Sequence, residues 1–325
     1  MRKPLLTLLL AVLVGPHAAH DAVACAQPPP ADGGAPEPQV ADLRQQVSAA
    51  IARVKQSGGL DYTLVSKLGE THAAAVLPHI LPYLDDPDPH VRLAVENIAS
   101  RLRTPSALEV MTRLVADPEA FVATQAVSDL YRRFSAADVR KSGPKLAHHL
   151  MRHLEREPRD ARAILLLSLV DDGHEGVVRF LSRLRNRQVG EKTKLEHGSQ
   201  PASAVLPVEI ALARLGDGTA AERLRQLLRA GEVPDLLLVL DALRFVDDRE
   251  VLAEVAELLH DPRQAVPYTP YPDPRYLRVQ DVALLALSCR FSLPADVAAR
   301  EPARYSEERL ATAYAWVRAR LSPRR

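Results

Sequence analysis

His148, His149 and His153 form the densest group of histidines, and His149 and His153 stand four residues apart. On a helix that spacing puts two imidazoles on one face, where they could share a metal ion. A zinc protease would need glutamate as general base directly after the first histidine, but Leu150 follows His149, which leaves the two as weak metal candidates. A second knot, Asp171, Asp172, His174 and Glu175, has the residue types of a metal or acid–base site. Acidic groups at the start of a helix also cap free N–H groups and meet the positive end of the dipole, and that explains them more simply. Asp85, Asp86 and Asp88 lack the glycine and distal glutamate of a calcium loop. Past the leader there is no Gly-rich phosphate loop, no Gly-x-Ser-x-Gly elbow and no pair of cysteine ligands. No catalytic residue and no cofactor are assigned, and the sequence leans away from an enzyme, although a site assembled from distant segments would leave no motif.

Recognition without covalent chemistry is open to two other groups. Arg185, Arg187, Lys192 and Lys194 are cationic, and Tyr268 and Tyr271 stand among Pro267, Pro270 and Pro272 with Tyr276 expected just inside the next helix. Cations beside rigid aromatics are what protein interfaces favour. DNA or RNA is not the expected partner. A nucleic-acid binder sustains a basic surface, whereas these cations, with Arg183, occupy one short stretch of a chain of net charge +1.

The N-terminus predicts export. Arg2 and Lys3 precede the apolar run Leu5 to Val14, and Ala24 and Ala26 form a small-x-small cleavage site, so residues 1–26 read as a secretory signal peptide of bacterial type. The run is too short to span a bilayer, and no later segment is long and apolar enough. The protein is expected to be periplasmic or secreted. An alternative makes Ala22 to Cys25 a lipoprotein signal, with Cys25 acylated and the mature chain anchored to a membrane. Cleavage after Ala26 would leave 40 basic and 40 acidic residues and a single cysteine, Cys289, hence no internal disulfide. Cys289 lies in the apolar run Leu284 to Phe291 and is expected to be a buried small hydrophobe.

Positioning any of these groups falls to helices. Aromatics make up only 4% of residues and glycine is scarce, a balance that favours an all-α core of Leu, Val and Ala over a β-sandwich. Residues 27–38 hold five prolines and two glycines and read as a disordered spacer. From Val40, apolar residues recur at steps of three and four through Val54. Leu77, Ile80, Leu81 and Leu84 form one stripe, Asp85 to Pro89 a turn, and Val91, Val95, Ile98 and Leu102 a second stripe, which predicts a helical hairpin. The same punctuation returns at Pro118, Pro158, Pro201, Pro234 and Pro274, at intervals of 31, 40, 43, 33 and 40 residues counted from Pro87. Eight residues after each proline stand Val95, Ala126, Leu166, Glu209, Ala242 and Val282; eleven after stand Ile98, Asp129, Leu169, Leu212, Phe245 and Leu285. Each column holds one polar exception, Glu209 and Asp129.

The pairs Leu77-Pro78 and Leu81-Pro82, the turn Asp86-Pro87-Asp88 and the entry Val91-Arg92 resemble a HEAT repeat, and the resemblance covers roughly Leu60 to Phe291. It implies an all-α, armadillo-like superhelical solenoid of about six to seven stacked helix pairs with terminal capping helices, running as one body over 39–321 before a basic tail at 322–325. At its end Ser306 should cap a last helix with Leu310, Tyr314, Val317 and Leu321 inward and Trp316 beside them. The resemblance implies a binding surface and no reaction. The function expected is a non-catalytic protein- or peptide-binding scaffold or adaptor of the cell envelope. The alternatives are a hydrolase or lyase with its site spread over the concave face, or an inhibitor or immunity-type protein.

Two long turns sharpen that expectation. Asn186 to Ser203 and Asp261 to Pro274 each lengthen the turn inside a helix pair, while the pair between them has only Ala230 to Val233. In a stack such turns share one edge, so the two loops should stand about 20 Å apart like the sides of a trough, cations on one side and tyrosines on the other.

Overall fold

The computed structural model describes residues 40–57, 73–170, 175–194, 205–267 and 276–322. Among these residues the protein is all-α, with fifteen α-helices and one two-stranded ribbon. It divides into two compact units, an N-terminal one over residues 30–180 and a C-terminal one from Leu181 onward.

In the N-terminal unit the order is α1 (Val40–Ser57), α2 (Ala73–Ile80), a 3-10 turn at Leu81–Tyr83, α3 (Pro89–Leu102), α4 (Pro105–Leu114), α5 (Ala120–Arg133), α6 (Ala136–Lys141), α7 (Gly143–Arg156) and α8 (Ala161–Val170). Local chemistry fixes the starts. Asp88 accepts a bond from the His90 amide ahead of Pro89, and Thr104 from the Ala107 amide ahead of Pro105; each proline occupies a position whose missing N–H would have had no partner. α3, α5 and α8 pack in sequence as one layer, which α1 joins against α3, and α4 and α7 pack together in the other. The predicted stripes are the core: Ile80, Val91, Val95 and Ile98 are fully buried. Leu81 departs from its stripe and is 44% exposed, because the helix tightens to a 3-10 turn there and rotates the side chain outward. α8 is buried from Ala163 to Val170, as its apolar circumference requires.

The C-terminal unit starts within α9 (Glu175–Lys194) and continues through α10 (Leu206–Arg214), α11 (Gly218–Ala230), α12 (Val233–Asp241), α13 (Arg249–Glu257), strands β1 (Gln264–Pro267) and β2 (Tyr276–Arg278), α14 (Val279–Phe291) and α15 (Glu307–Leu321). α11, α13 and α15 form one layer, α10, α12 and α14 the other. The α11–α12 turn is as short as its sequence predicts, and at Gly231 any side chain would collide with the Leu227 carbonyl. Ser306 caps α15 through the Arg309 amide, and Leu310 and Val317 are buried as expected.

Three sequence expectations are corrected here. Asn186 to Lys194 is the end of α9 and not a loop: no proline interrupts it, Gln188 continues the buried face after Leu184, and the single Gly190 costs a helix only about 1 kcal/mol. Asp261 to Pro274 is in part the antiparallel ribbon β1–β2, in which Pro267 opposes Tyr276. Cys289 is exposed, because α14 turns Ala283, Leu284, Leu287 and Ser288 inward and the next position faces out.

Candidate functional site

α7 carries both candidate metal ligands. His149 Nδ1 lies 2.8 Å from the Thr112 carbonyl of α4; a carbonyl only accepts, so this nitrogen carries the proton. His153 is 1% exposed, and its Nε2 lies 2.9 Å from Asp160 Oδ2. The other oxygen of Asp160 accepts the amides of Arg162 and Ala163 and so caps α8. The two imidazoles share a helix turn, as their spacing predicts, but each is turned to a different neighbour. They fasten α7 to α4 and to the start of α8, and the ring nitrogens that make these bonds cannot at the same time ligate one ion. Among the described residues no three His, Cys, Asp or Glu side chains are grouped to hold a metal.

The cationic and aromatic candidates lie in the C-terminal unit. Arg185 is half-buried, 3.8 Å from Asp217, whose carboxylate caps α11. Arg187 is exposed, and Lys192 and Lys194 belong to the last turn of α9. Tyr276 is half-buried in β2 and not inside the next helix, which begins only at Val279, while Tyr268 and Tyr271 lie outside the described residues, as does the trough expected between the two loops. Asp171, Asp172 and His174 also lie outside; Glu175 opens α9, 3.7 Å from Arg179. Trp316 is half-buried beside the Arg320 guanidinium.

Two successive turns of the N-terminal unit are joined by a polar seam. The buried Arg92 of α3 donates to both carboxylate oxygens of Asp117 in the next turn, and to the carbonyls of Asp86 and Pro87 in its own. Asp117 in turn accepts the Glu119 amide. One turn thus orders the following one. Residues 45–130 match the family model of HEAT repeats. Neither a curated protein nor a solved structure matches the chain.

The HEAT segment has two further features that the stripe pattern does not reveal. His90 and Phe121 hold the same place in successive repeats, the second residue of α3 and of α5, and their rings form a tilted pair with centroids 5.6 Å apart and planes at 33°. Phe121 is 43% exposed, and Asp88 and Glu119 flank the two rings in sequence. Deeper in the same helices, Glu96 and Asp129 are both buried to 1% exposure or less. Arg133 Nε and Gln125 Nε2, each 3.2 Å away, and Arg132 at 3.4 Å surround Asp129. Burial first, and the neighbouring Asp129 charge second, hold the Glu96 carboxyl well above the usual carboxylate range. Asp129 had one sequence signal, its place as the polar exception in an apolar column. Its counterpart Glu209 is accounted for by Arg223, 3.2 Å away.

Proposed function

We propose that the chain is a non-catalytic scaffold or adaptor of the cell envelope, exported to the periplasm or secreted, that binds a protein or peptide. The observation that carries this reading is the exposed His90–Phe121 pair on consecutive HEAT repeats. HEAT repeats generally serve protein interaction, and a large aromatic side chain held half in water at the entrance of a second helix is an anchor waiting for an apolar partner surface. The histidines that could have done chemistry are engaged in fastening helices. Arg185, Arg187, Lys192 and Lys194 with Tyr268, Tyr271 and Tyr276 are proposed as a second contact region in the C-terminal unit. Among the described residues no helix is long and apolar enough to cross a membrane. Acylation at Cys25 would instead tether the scaffold.

A benzophenone amino acid in place of Phe121, irradiated in cells expressing the full chain, tests the reading. A discrete cross-linked protein or peptide band is expected from position 121 and not from Thr124, exposed on the same helix. An unmodified gel pattern at 121 overturns it. Fractionation of the same cells checks export: recovery of the unprocessed chain in the cytoplasm alone overturns the envelope assignment.

A further inference from the structure

Glu96 is a fully buried acid in a place where nothing donates to it. Neither of its carboxyl oxygens meets an N–H or O–H donor, and the side chain is 0% exposed. An ionised carboxylate in that position would lack both solvent and partner. Among the described residues of α1, α2 and α4 the buried side chains are apolar except for Thr112, and its hydroxyl donates to the Leu108 carbonyl. On α3 itself the nearest amide, that of Asn97, donates to the Leu93 carbonyl. The charged groups that act most on Glu96 come from α5: Asp129, Arg133 and Arg132. Of these, the two arginines are engaged with Asp129. Asp129, which accepts from Gln125 and from both arginines, is thus the acceptor that α5 offers, and a protonated Glu96 is the one form that can bond it.

We propose that Glu96 and Asp129 are a proton-sharing pair that latches the second helices of two neighbouring HEAT repeats, and that this single proton sets how tightly the α3–α5 seam is closed. In the closed seam Glu96 Oε–H donates to Asp129 and the pair carries one negative charge against two arginines. On losing the proton the pair carries two negative charges at short range in a dry environment, and the seam must open to water or admit a cation. The position matters because the same two helices carry His90 and Phe121 on their first turns, so loosening the seam moves the exposed pair of rings.

The sign follows from linkage. The Glu96 proton is held more tightly in the closed seam than in the open chain, so the stability it contributes is complete below the pKa of an ordinary glutamate. It is lost as pH rises toward the elevated folded value. Within that window each pH unit favours opening by up to about tenfold.

Hydrogen exchange of the full chain, read by mass spectrometry on peptides covering 89–102 and 120–133 and corrected for intrinsic exchange, tests the latch. As pH rises above the ordinary glutamate range, protection of these peptides should fall by up to about tenfold per unit in the natural sequence and stay level in Glu96→Gln. Parallel slopes in the two proteins overturn the proposal. Should Glu96→Gln fail to fold, infrared spectra of the natural chain labelled with 13C only at glutamate carboxyls decide. A protonated-carboxyl band at neutral pH supports the latch, and its absence overturns it.

Discussion

Arg92 Nε and Nη2 meet the two oxygens of Asp117 at 2.8 and 2.9 Å, while Nη1 donates to the Asp86 carbonyl at 2.7 Å, so one buried guanidinium closes two consecutive turns of the repeat. Arg92→Ala would leave the Asp117 carboxylate buried with its charge uncompensated and the Asp86 carbonyl without this donor. The expected cost is about 3 to 5 kcal/mol, the range for removing one partner of a buried pair. Arg92→Lys keeps the charge but not the fork, and should recover less than half of it. Urea unfolding of the three proteins measures this; an Arg92→Ala chain within about 1 kcal/mol of the parent would refute a structural role for the seam.

His153 should act as a structural residue. Its imidazole joins the buried side of α7 to the capping carboxylate of α8, so His153→Ala is expected to destabilise the N-terminal unit by about 1 to 3 kcal/mol. His149→Ala, losing one bond from a half-buried ring, should cost about 1 kcal/mol. If the two histidines bound a metal, a chelator would shift the melting temperature of the natural chain and leave that of the double variant unmoved. No shift in either is expected.

The hairpin around Asp86-Pro87-Asp88 was fully readable in the sequence, because proline, capping aspartate and two apolar stripes all demand the same local structure. Asp129 announced itself as a polar residue in an apolar column, but its partner did not. Glu96 lies one position beyond Val95, on the flank of the stripe, and is buried by the packing of neighbouring helices on α3. The same dependence on tertiary packing hid the seam, since Arg92 finds Asp117 across 25 residues of sequence. Residues 186–194 were misjudged for a local reason. Their charges and Gly190 suggest a loop, and only the burial of Gln188 shows that the helix still has a face to cover.

Phe121→Ala separates binding from folding. The ring is 43% exposed and pairs with the ring of the exposed His90, so its removal should change unfolding free energy by no more than about 0.5 kcal/mol. Capture of the partner found by cross-linking should nevertheless fall at least tenfold, as it does when a central aromatic anchor is lost. Equal loss of stability and capture would show that the ring serves the fold instead.

The C-terminal unit should be weakened by acid at one identifiable carboxylate. Asp281, 1% exposed on α14, accepts bonds from the Arg278 guanidinium at 2.9 and 3.0 Å and from the backbone amides of Arg278 and Tyr305 at 2.8 and 3.0 Å. Burial alone would raise its pKa; the Arg278 bond and the two amides outweigh that and hold it below the ordinary aspartate range. A folded pKa below the unfolded one means the stabilisation is complete above the unfolded value and is lost as pH falls through the folded value. Arg278 also donates to the Tyr305 carbonyl and to Glu307 at the start of α15, so protonating Asp281 loosens the attachment of the last helix. The single tryptophan, Trp316, sits on α15 and reports that attachment directly. Urea titrations followed by its fluorescence should show the midpoint falling as pH drops from about 4 toward 2. Asp281→Asn should be less stable at pH 7 by about 3 kcal/mol, with a shallower acid slope. Matching slopes in the natural chain and Asp281→Asn would place the acid sensitivity elsewhere.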